Sequence, residues 1–145
     1  MRSYDPADQD TDFIPSKSDC KRTYDKLNEV IWGGRLPPAK FSVRQLRGCW
    51  GSFVGDRKKN KHVINMCKRY PNAQLFVGTL AHEMIHYWQW LHSETDREVN
   101  HGKTFWQWKK KFAQHNLPLQ ERGGENMNWY ASRNFDLLSI YQKTI

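Results

Sequence analysis

Apolar positions repeat at helical spacing in several stretches of the chain. The first stretch begins near Ser16 or Ser18, where Ser16 and Asp19 have the spacing of a capping box, and it ends at a glycine pair at 33–34. Its apolar face consists of Cys20, Tyr24, Leu27 and Ile31, with Val30 at the edge. The spacing therefore predicts an amphipathic helix that covers a sheet.

Two further helices are predicted in the second half of the chain. The longer one covers residues 73–92, after a stop at Pro71 and an N-cap at Asn72. Its apolar face is made of residues that recur every three or four positions: Val77, Leu80, Met84, Tyr87 and Leu91. A loop is predicted over 93–100. The next helix is predicted over 103–115, with an inner face of Phe105, Trp108 and Phe112.

Three short segments between the first two helices have the composition and boundaries of β-strands. They are residues 40–47, 50–54 and 61–67. Gly48 and Gly51 separate the first two segments, and the basic loop 55–60 joins the second and third as a hairpin. We expect a small antiparallel three-stranded sheet that packs with the helices in a single α+β domain.

Composition limits the classes of protein to which the chain can belong. Its 145 residues are sized for one domain, and 38% hydrophobic residues supply a single core. The three cysteines lack a CxxC pair, which indicates reduced thiols rather than a disulfide framework or a cysteine zinc site. The N-terminus lacks the apolar segment of a secretory signal, and no apolar run approaches the ~20 residues of a membrane span. We expect a soluble intracellular monomer without a membrane partner.

The longest predicted helix contains a HExxH sequence, in which His82 and His86 flank Glu83. Residues four positions apart lie one above the other on a helix, roughly 6 Å apart along its axis, so both imidazoles can bind one ion. Neutral imidazole is a good zinc ligand, and Glu83 is placed to accept a proton from a metal-activated water. The pattern indicates metal-assisted hydrolysis. The alternative is a chance HExxH whose histidines are hydrated.

Two imidazoles do not fill a tetrahedral zinc site, so another ligand is required. The candidates are His62, His92, His101 and His115. His92 faces away from the pair on the same predicted helix, and His115 would lie at the far end of the next one. His101 follows a loop long enough to return it to the pair, and geometry therefore favours His101.

Several ordered sequence blocks resemble the SprT-like zinc metalloprotease domain, the domain of bacterial SprT and of the eukaryotic DNA–protein crosslink protease Spartan. They are WGGRLP at 32–37, VINM at 63–66, GTLAHEMIH at 78–86, DRE at 96–98 and HGKTF at 101–105. In that family the third histidine commonly follows glycine, whereas here it follows Asn100. The resemblance covers about residues 24–115.

This resemblance implies a zincin-like α+β fold in which His82, His86 and His101 bind Zn²⁺ and Glu83 is the general base. It also implies an endopeptidase whose protein substrates are bound or crosslinked to DNA. The expected organisation is a flexible leader over 1–15, the SprT-like domain over 16–120, and a C-terminal extension over 121–145 packed on the domain.

Charge supports DNA, single-stranded or partly unpaired, as a second partner. Lys and Arg outnumber Asp and Glu by 23 to 15, a formal charge of +8, although such charge equally serves solubility. Candidate contacts combine basic and aromatic residues: Lys58, Lys59, Trp106, Lys109, Lys110 and Lys111. The alternative function is a nucleic-acid-binding module with a structural zinc site. Such a site would need no glutamate beside its first histidine and would normally have four protein ligands.

Overall fold

The computed structural model describes residues 13–115 together with residues 117 and 119. Its main helices are α1 (Lys17–Trp32), α2 (Ala73–Leu91), α3 (Lys103–Trp106) and α4 (Lys109–Ala113), with a short 3₁₀ helix at Asp96–Glu98. Its strands are β1 (Phe41–Arg44), β2 (Gly51–Asp56) and β3 (Lys61–Cys67). The expected extension 121–145 and residues 1–12 of the expected leader lie outside the described residues.

Helix α1 begins and ends where local chemistry predicts. The Ser16 hydroxyl accepts the Asp19 N–H at 3.0 Å, and the Asp19 carboxylate accepts the Ser16 N–H at 2.9 Å, so the predicted capping box is confirmed. Gly33 ends the helix in the left-handed region, with φ 62°. The predicted apolar face is buried, and α1 packs against β1 and α2.

Helix α2 begins at the predicted cap, because the Asn72 side chain accepts the Leu75 N–H at 2.9 Å. Its predicted apolar face is buried except for Leu91, which is 38% exposed. The opposite side is covered as well, because α2 contacts the 3₁₀ helix and α3 as well as β2 and β3. Polar residues on that side are therefore buried, and the set includes His82, Glu83, His86 and Gln89.

The sheet is mixed, and the prediction of an antiparallel sheet was wrong in this respect. Its order is β1-β3-β2: β2 pairs with β3 antiparallel, with Gly51 opposite Met66, while β1 pairs with β3 parallel, with Phe41 opposite Ile64. The most apolar strand, β3, takes the centre, where its last four residues are buried. This arrangement places β1 and β2 on either side of β3 and makes β2 an edge strand.

Strand boundaries differ from the prediction only at β1 and β2. The predicted 40–47 shortens to β1 (Phe41–Arg44), and the predicted 50–54 becomes β2 (Gly51–Asp56), while β3 has the predicted bounds. At the start of β2, the Tyr70 hydroxyl accepts the Cys67 N–H and donates to the Trp50 carbonyl. Tyr70 thereby fixes the place where β2 enters the sheet.

The predicted helix 103–115 is two short helices, α3 and α4, rather than one. At their junction the Trp108 N–H bonds the Phe105 carbonyl at 3.3 Å, an i to i−3 bond that tightens the turn. Trp108 packs between Trp32 and Trp88, with ring centroids 5.2 Å from each. Tertiary packing of this indole therefore overrides the helical pattern. None of the helices in the described part of the chain has the length and apolar composition that a membrane span requires.

Candidate metal centre

Three imidazoles meet at one point beside α2. His82 and His86 come from successive turns of α2, and His101 comes from the segment between the 3₁₀ helix and α3. The Nε2 atom of His101 lies 3.2 Å from Nε2 of His82 and 3.2 Å from Nε2 of His86. A tetrahedron with ~2.0–2.1 Å zinc–nitrogen bonds has an edge of roughly 3.3–3.4 Å, so these nitrogens fit one ion. The three histidines could hold a metal ion.

The environment of His86 favours the neutral form of its imidazole, which is the form that binds a metal ion. Burial lowers the pKa of His86 to about 4, so the imidazole is neutral at physiological pH. Its Nδ1 atom lies 2.8 Å from Oε1 of Gln89, an oxygen that can only accept a hydrogen bond. Nδ1 therefore carries the proton, and Nε2 presents its lone pair to the other two histidines.

Phe105 forms an apolar floor beneath the three imidazoles. Its ring centroid lies 4.9 Å from that of His82, 5.4 Å from that of His86 and 4.7 Å from that of His101. The phenylalanine side chain is fully buried. One side of the cluster is therefore closed to water, and access to it comes from the opposite side.

The open side faces a cleft of about 1000 Å³. It is lined by residues of segment 45–50 and the first half of β2, by residues 99–101, and by His82, Glu83 and His86 of α2. One of the strands that line the cleft, β2, is an edge strand of the sheet.

Glu83 is a buried carboxyl group at the bottom of this cleft. Its side chain is 6% exposed, and burial raises the pKa of Glu83 to about 8. Gly51 of β2 faces it closely: a Cβ atom on Gly51 would lie 3.4 Å from Cγ of Glu83. A carboxyl group with a pKa near neutrality is suited to exchange a proton with a reacting group.

The other histidines considered as ligands lie away from the cluster. His62 stacks on Tyr87 with centroids 4.4 Å apart, and His92 stacks on Trp88 and bonds its carbonyl at 2.8 Å. His115 follows α4. Across the described part of the chain, the three-histidine cluster is the group of His, Cys, Asp or Glu residues that could hold a metal ion.

The residues predicted to contact nucleic acid lie on two separate parts of the fold. Lys58 and Lys59 are exposed in the turn between β2 and β3. Trp106, 37% exposed, ends α3, and Lys109, Lys110 and Lys111 belong to α4. Trp106 packs edge-on against Phe105, with centroids 5.0 Å apart, so this second group begins next to the histidine cluster.

The part of the chain that carries the three histidines matches a known protein family. A model of the SprT-like family matches residues 20–123, more than half of the 145-residue chain. The chain belongs to the SprT-like family. The resemblance carried by the sequence blocks is confirmed, and membership implies a metalloprotease-type domain. The SprT-like region begins in α1 and extends past α4, so it contains all three histidines. A search of curated proteins gave no match.

Asn100, the departure from the usual SprT-like pattern, is accommodated without backbone strain. Among the described residues other than glycine, Asn60 has a positive φ, and Asn100 does not. The Asn100 Oδ1 atom accepts the Gly102 N–H at 2.8 Å, and its Nδ2 atom donates to the Arg97 carbonyl at 2.6 Å. The asparagine side chain therefore braces the turn that delivers His101.

Two residues near the SprT-like centre were missed in the sequence. Gln89 follows His86 by three positions and so lies on the same face of α2. A single amide among the aromatic residues of this stretch could have indicated a polar partner for the histidine. In the sequence, Gly51 indicates only a break between strands. Its close approach to Glu83 depends on how β2 packs against α2, and the sequence carries no local signal for that packing.

Proposed function

We propose that this SprT-like chain is a zinc-dependent endopeptidase that acts on DNA-bound or DNA-crosslinked proteins. The observation that carries the proposal is the convergence of three imidazole nitrogens, all within 4.8 Å of one another, on a cleft that also contains the buried Glu83. His82, His86 and His101 are the proposed ligands.

The donor set suits a catalytic zinc ion. Neutral imidazole nitrogens are ligands that zinc prefers, and structural zinc sites normally have four protein ligands. The three histidines line an open cleft, so a zinc ion held by them would be accessible to water and substrate. Zinc held by these three histidines would supply Lewis acidity toward a peptide carbonyl and would lower the pKa of a water molecule.

Glu83 is the proposed general base. Its carboxylate accepts the proton of the attacking water and returns it to the amine that leaves when the peptide bond breaks. Burial raises the pKa of Glu83, and a dication held by the three histidines would favour the ionised carboxylate and so offset that effect. Gly51 has no side chain, so the Cγ atom of Glu83 has free space on the side that faces β2.

Cleavage by water fits the cleft better than cleavage through a covalent intermediate. Cys49 is an exposed thiol that lines the cleft, but desolvation, and next the charge of Glu83, raise the pKa of Cys49. A thiol of raised pKa forms little thiolate at neutral pH and is a poor nucleophile. The edge of β2 is proposed to hold the substrate as an added strand.

DNA as the second partner is supported by charge and by exposed side chains. The formal charge is +8, and Lys58, Lys59, Lys109 and Lys110 are exposed. Trp106 offers a partly exposed aromatic face near Lys109, a combination that suits unpaired bases. Binding to DNA would bring the cleft close to proteins held on the same strand.

The test is a cleavage assay on a protein crosslinked to single-stranded DNA, combined with measurement of bound zinc. Glu83→Gln preserves shape while it removes the base, so we expect it to bind zinc and DNA but to cleave about 10²–10⁴-fold more slowly. Glu29→Gln, a change at an exposed glutamate of α1, is the matched control and should cleave at the wild-type rate.

Three outcomes would contradict parts of the proposal. Full activity of Glu83→Gln would exclude Glu83 as the base. Loss of zinc in that variant would make Glu83 a ligand or a support of the site. Wild-type protein that binds zinc and DNA but cleaves no protein would favour the nucleic-acid-binding module with a structural metal.

A further inference from the structure

Gln89 connects the two parts of the chain that carry the three histidines. Its side chain is buried, with 2% exposure, on the face of α2 that bears His86. Its Oε1 atom lies 2.8 Å from Nδ1 of His86, and its Nε2 atom donates to the Asn100 carbonyl at 2.9 Å and to the Thr104 hydroxyl at 2.9 Å. All the polar atoms of the amide are thus bonded within the site.

The orientation of this amide follows from its partners. The Asn100 carbonyl has no proton, so it must face the NH₂ group of Gln89. A flipped amide would place two acceptor oxygens 2.9 Å apart. The Gln89 oxygen is therefore directed at His86, whose Nδ1 must donate. A backbone carbonyl in the His101 segment thereby sets the tautomer of a ring on α2.

We propose that Gln89 is a positioning residue that fixes the tautomer of His86 and ties the His101 segment to α2. Through these bonds Gln89 holds His86 and the His101 segment in the arrangement in which the three Nε2 atoms suit one ion. The inference rests on the proposed function only where it names zinc as the ion.

The partners of Gln89 distinguish this role from that of an ordinary buried amide. One partner is a histidine of the cluster, and another, Asn100, directly precedes His101. The third, Thr104, precedes Phe105, the floor beneath all three rings. Hydrogen bonds to the second nitrogen of a ligating histidine orient the ring, and their loss typically weakens metal binding by about 10–100-fold.

Three substitutions separate the bonds that Gln89 makes. Gln89→Met keeps the length of the side chain and removes all three bonds. Gln89→Glu keeps an acceptor for His86 but directs a carboxylate oxygen at the Asn100 carbonyl. Thr104→Val removes only the bond to α3. The matched control is Gln107→Leu, a change at an exposed glutamine between α3 and α4.

The first measurement is zinc affinity by competition with a chelator. We expect Gln89→Met to bind zinc about 10–100-fold more weakly than wild type. Gln89→Glu should recover part of this loss because its carboxylate accepts the same His86 proton, and Thr104→Val and Gln107→Leu should stay near wild type. Equal affinity of Gln89→Met and wild type would overturn the proposal, and no recovery in Gln89→Glu would overturn the part that assigns the effect to the His86 tautomer rather than to the bond with Asn100.

The second measurement needs neither a variant nor a metal. Long-range ¹H–¹⁵N NMR spectra of the metal-free wild-type protein report which ring nitrogen of each histidine carries the proton. We expect the Nδ1–H tautomer at His86, and the Nε2–H tautomer would refute the role of Gln89 even if Gln89→Met did not fold. Neither readout depends on proteolysis, so a wild-type protein without peptidase activity would refute the proposed function and leave this inference standing.

Discussion

Replacing Gly51 by alanine tests whether β2 must approach α2 closely for the site to work. The added Cβ would lie 2.8 Å from Cγ2 of Thr79, 3.3 Å from the Asn65 carbonyl oxygen and 3.4 Å from Cγ of Glu83. Carbon atoms in contact are separated by about 3.5–4.0 Å, so the strand or the helix must shift. Gly51 is not among the glycines with positive φ, and the cost is therefore one of packing alone.

The expected magnitude follows from overpacking. An extra methyl group in a well-packed region costs about 1–3 kcal/mol of unfolding free energy. Cleavage should fall further, by about 10–100-fold, because the clash with Thr79 pushes β2 away from α2 and so changes the distance between Glu83 and a substrate held along β2. The loss of unfolding free energy is measured by urea denaturation, and the loss of activity is measured by cleavage of the DNA-crosslinked protein.

A double-mutant cycle isolates the clash. Thr79→Ser removes Cγ2 and keeps the hydroxyl group, so it should restore stability and activity in the Gly51→Ala background. Gly48→Ala is the matched control: at φ +75° it strains the backbone, but its Cβ meets nothing within 4 Å, so Thr79→Ser should not rescue it. Purely additive effects of Gly51→Ala and Thr79→Ser would refute the reasoning.

Three further predictions concern the ligands, the DNA contacts and the pH dependence of stability. His101→Ala should lose most zinc affinity while His92→Ala keeps it, because His92 stacks on Trp88 outside the cluster; the reverse result would reassign the third ligand. Replacing Lys109, Lys110 and Lys111 by alanine should reduce the slope of log affinity for single-stranded DNA against log salt concentration by ~2. Trp106→Ala should weaken the preference for single-stranded over duplex DNA. Unchanged binding in both variants would exclude this surface. Burial, and next the charge of Lys40, lower the pKa of His62. Near that pKa the folded metal-free protein therefore binds fewer protons than the unfolded chain, and its unfolding free energy should decrease as pH falls through about 6.5. Urea titrations should find a smaller loss for His62→Gln, and an equal loss would contradict the assignment.

Local chemistry made α1, α2 and the first two proposed ligands predictable. Ser16 and Asp19 form a cap through side-chain bonds within one turn, and the vertical alignment of His82 and His86 follows from helix geometry. The parallel pairing of β1 with β3 was not predictable in this way. Adjacent strands in sequence suggested a meander, but the central position goes to the strand with the most apolar surface to bury.

The position of the third histidine, His101, was predictable only in part. Sequence separation shows that the chain between His86 and His101 is long enough to return, but length alone leaves the imidazole free to occupy many positions. The restriction comes from bonds between distant residues: Gln89 holds the Asn100 carbonyl from α2, and the Asn100 side chain closes the turn on Gly102 and Arg97. Asparagine can make these bonds and glycine cannot, so the departure from the usual family residue supplies contacts that a glycine would lack. The position of His101 is therefore set by the Gln89 amide on α2 and by the Asn100 side chain in the turn before His101. A substitution at either residue should change the affinity for metal although neither residue is a proposed ligand.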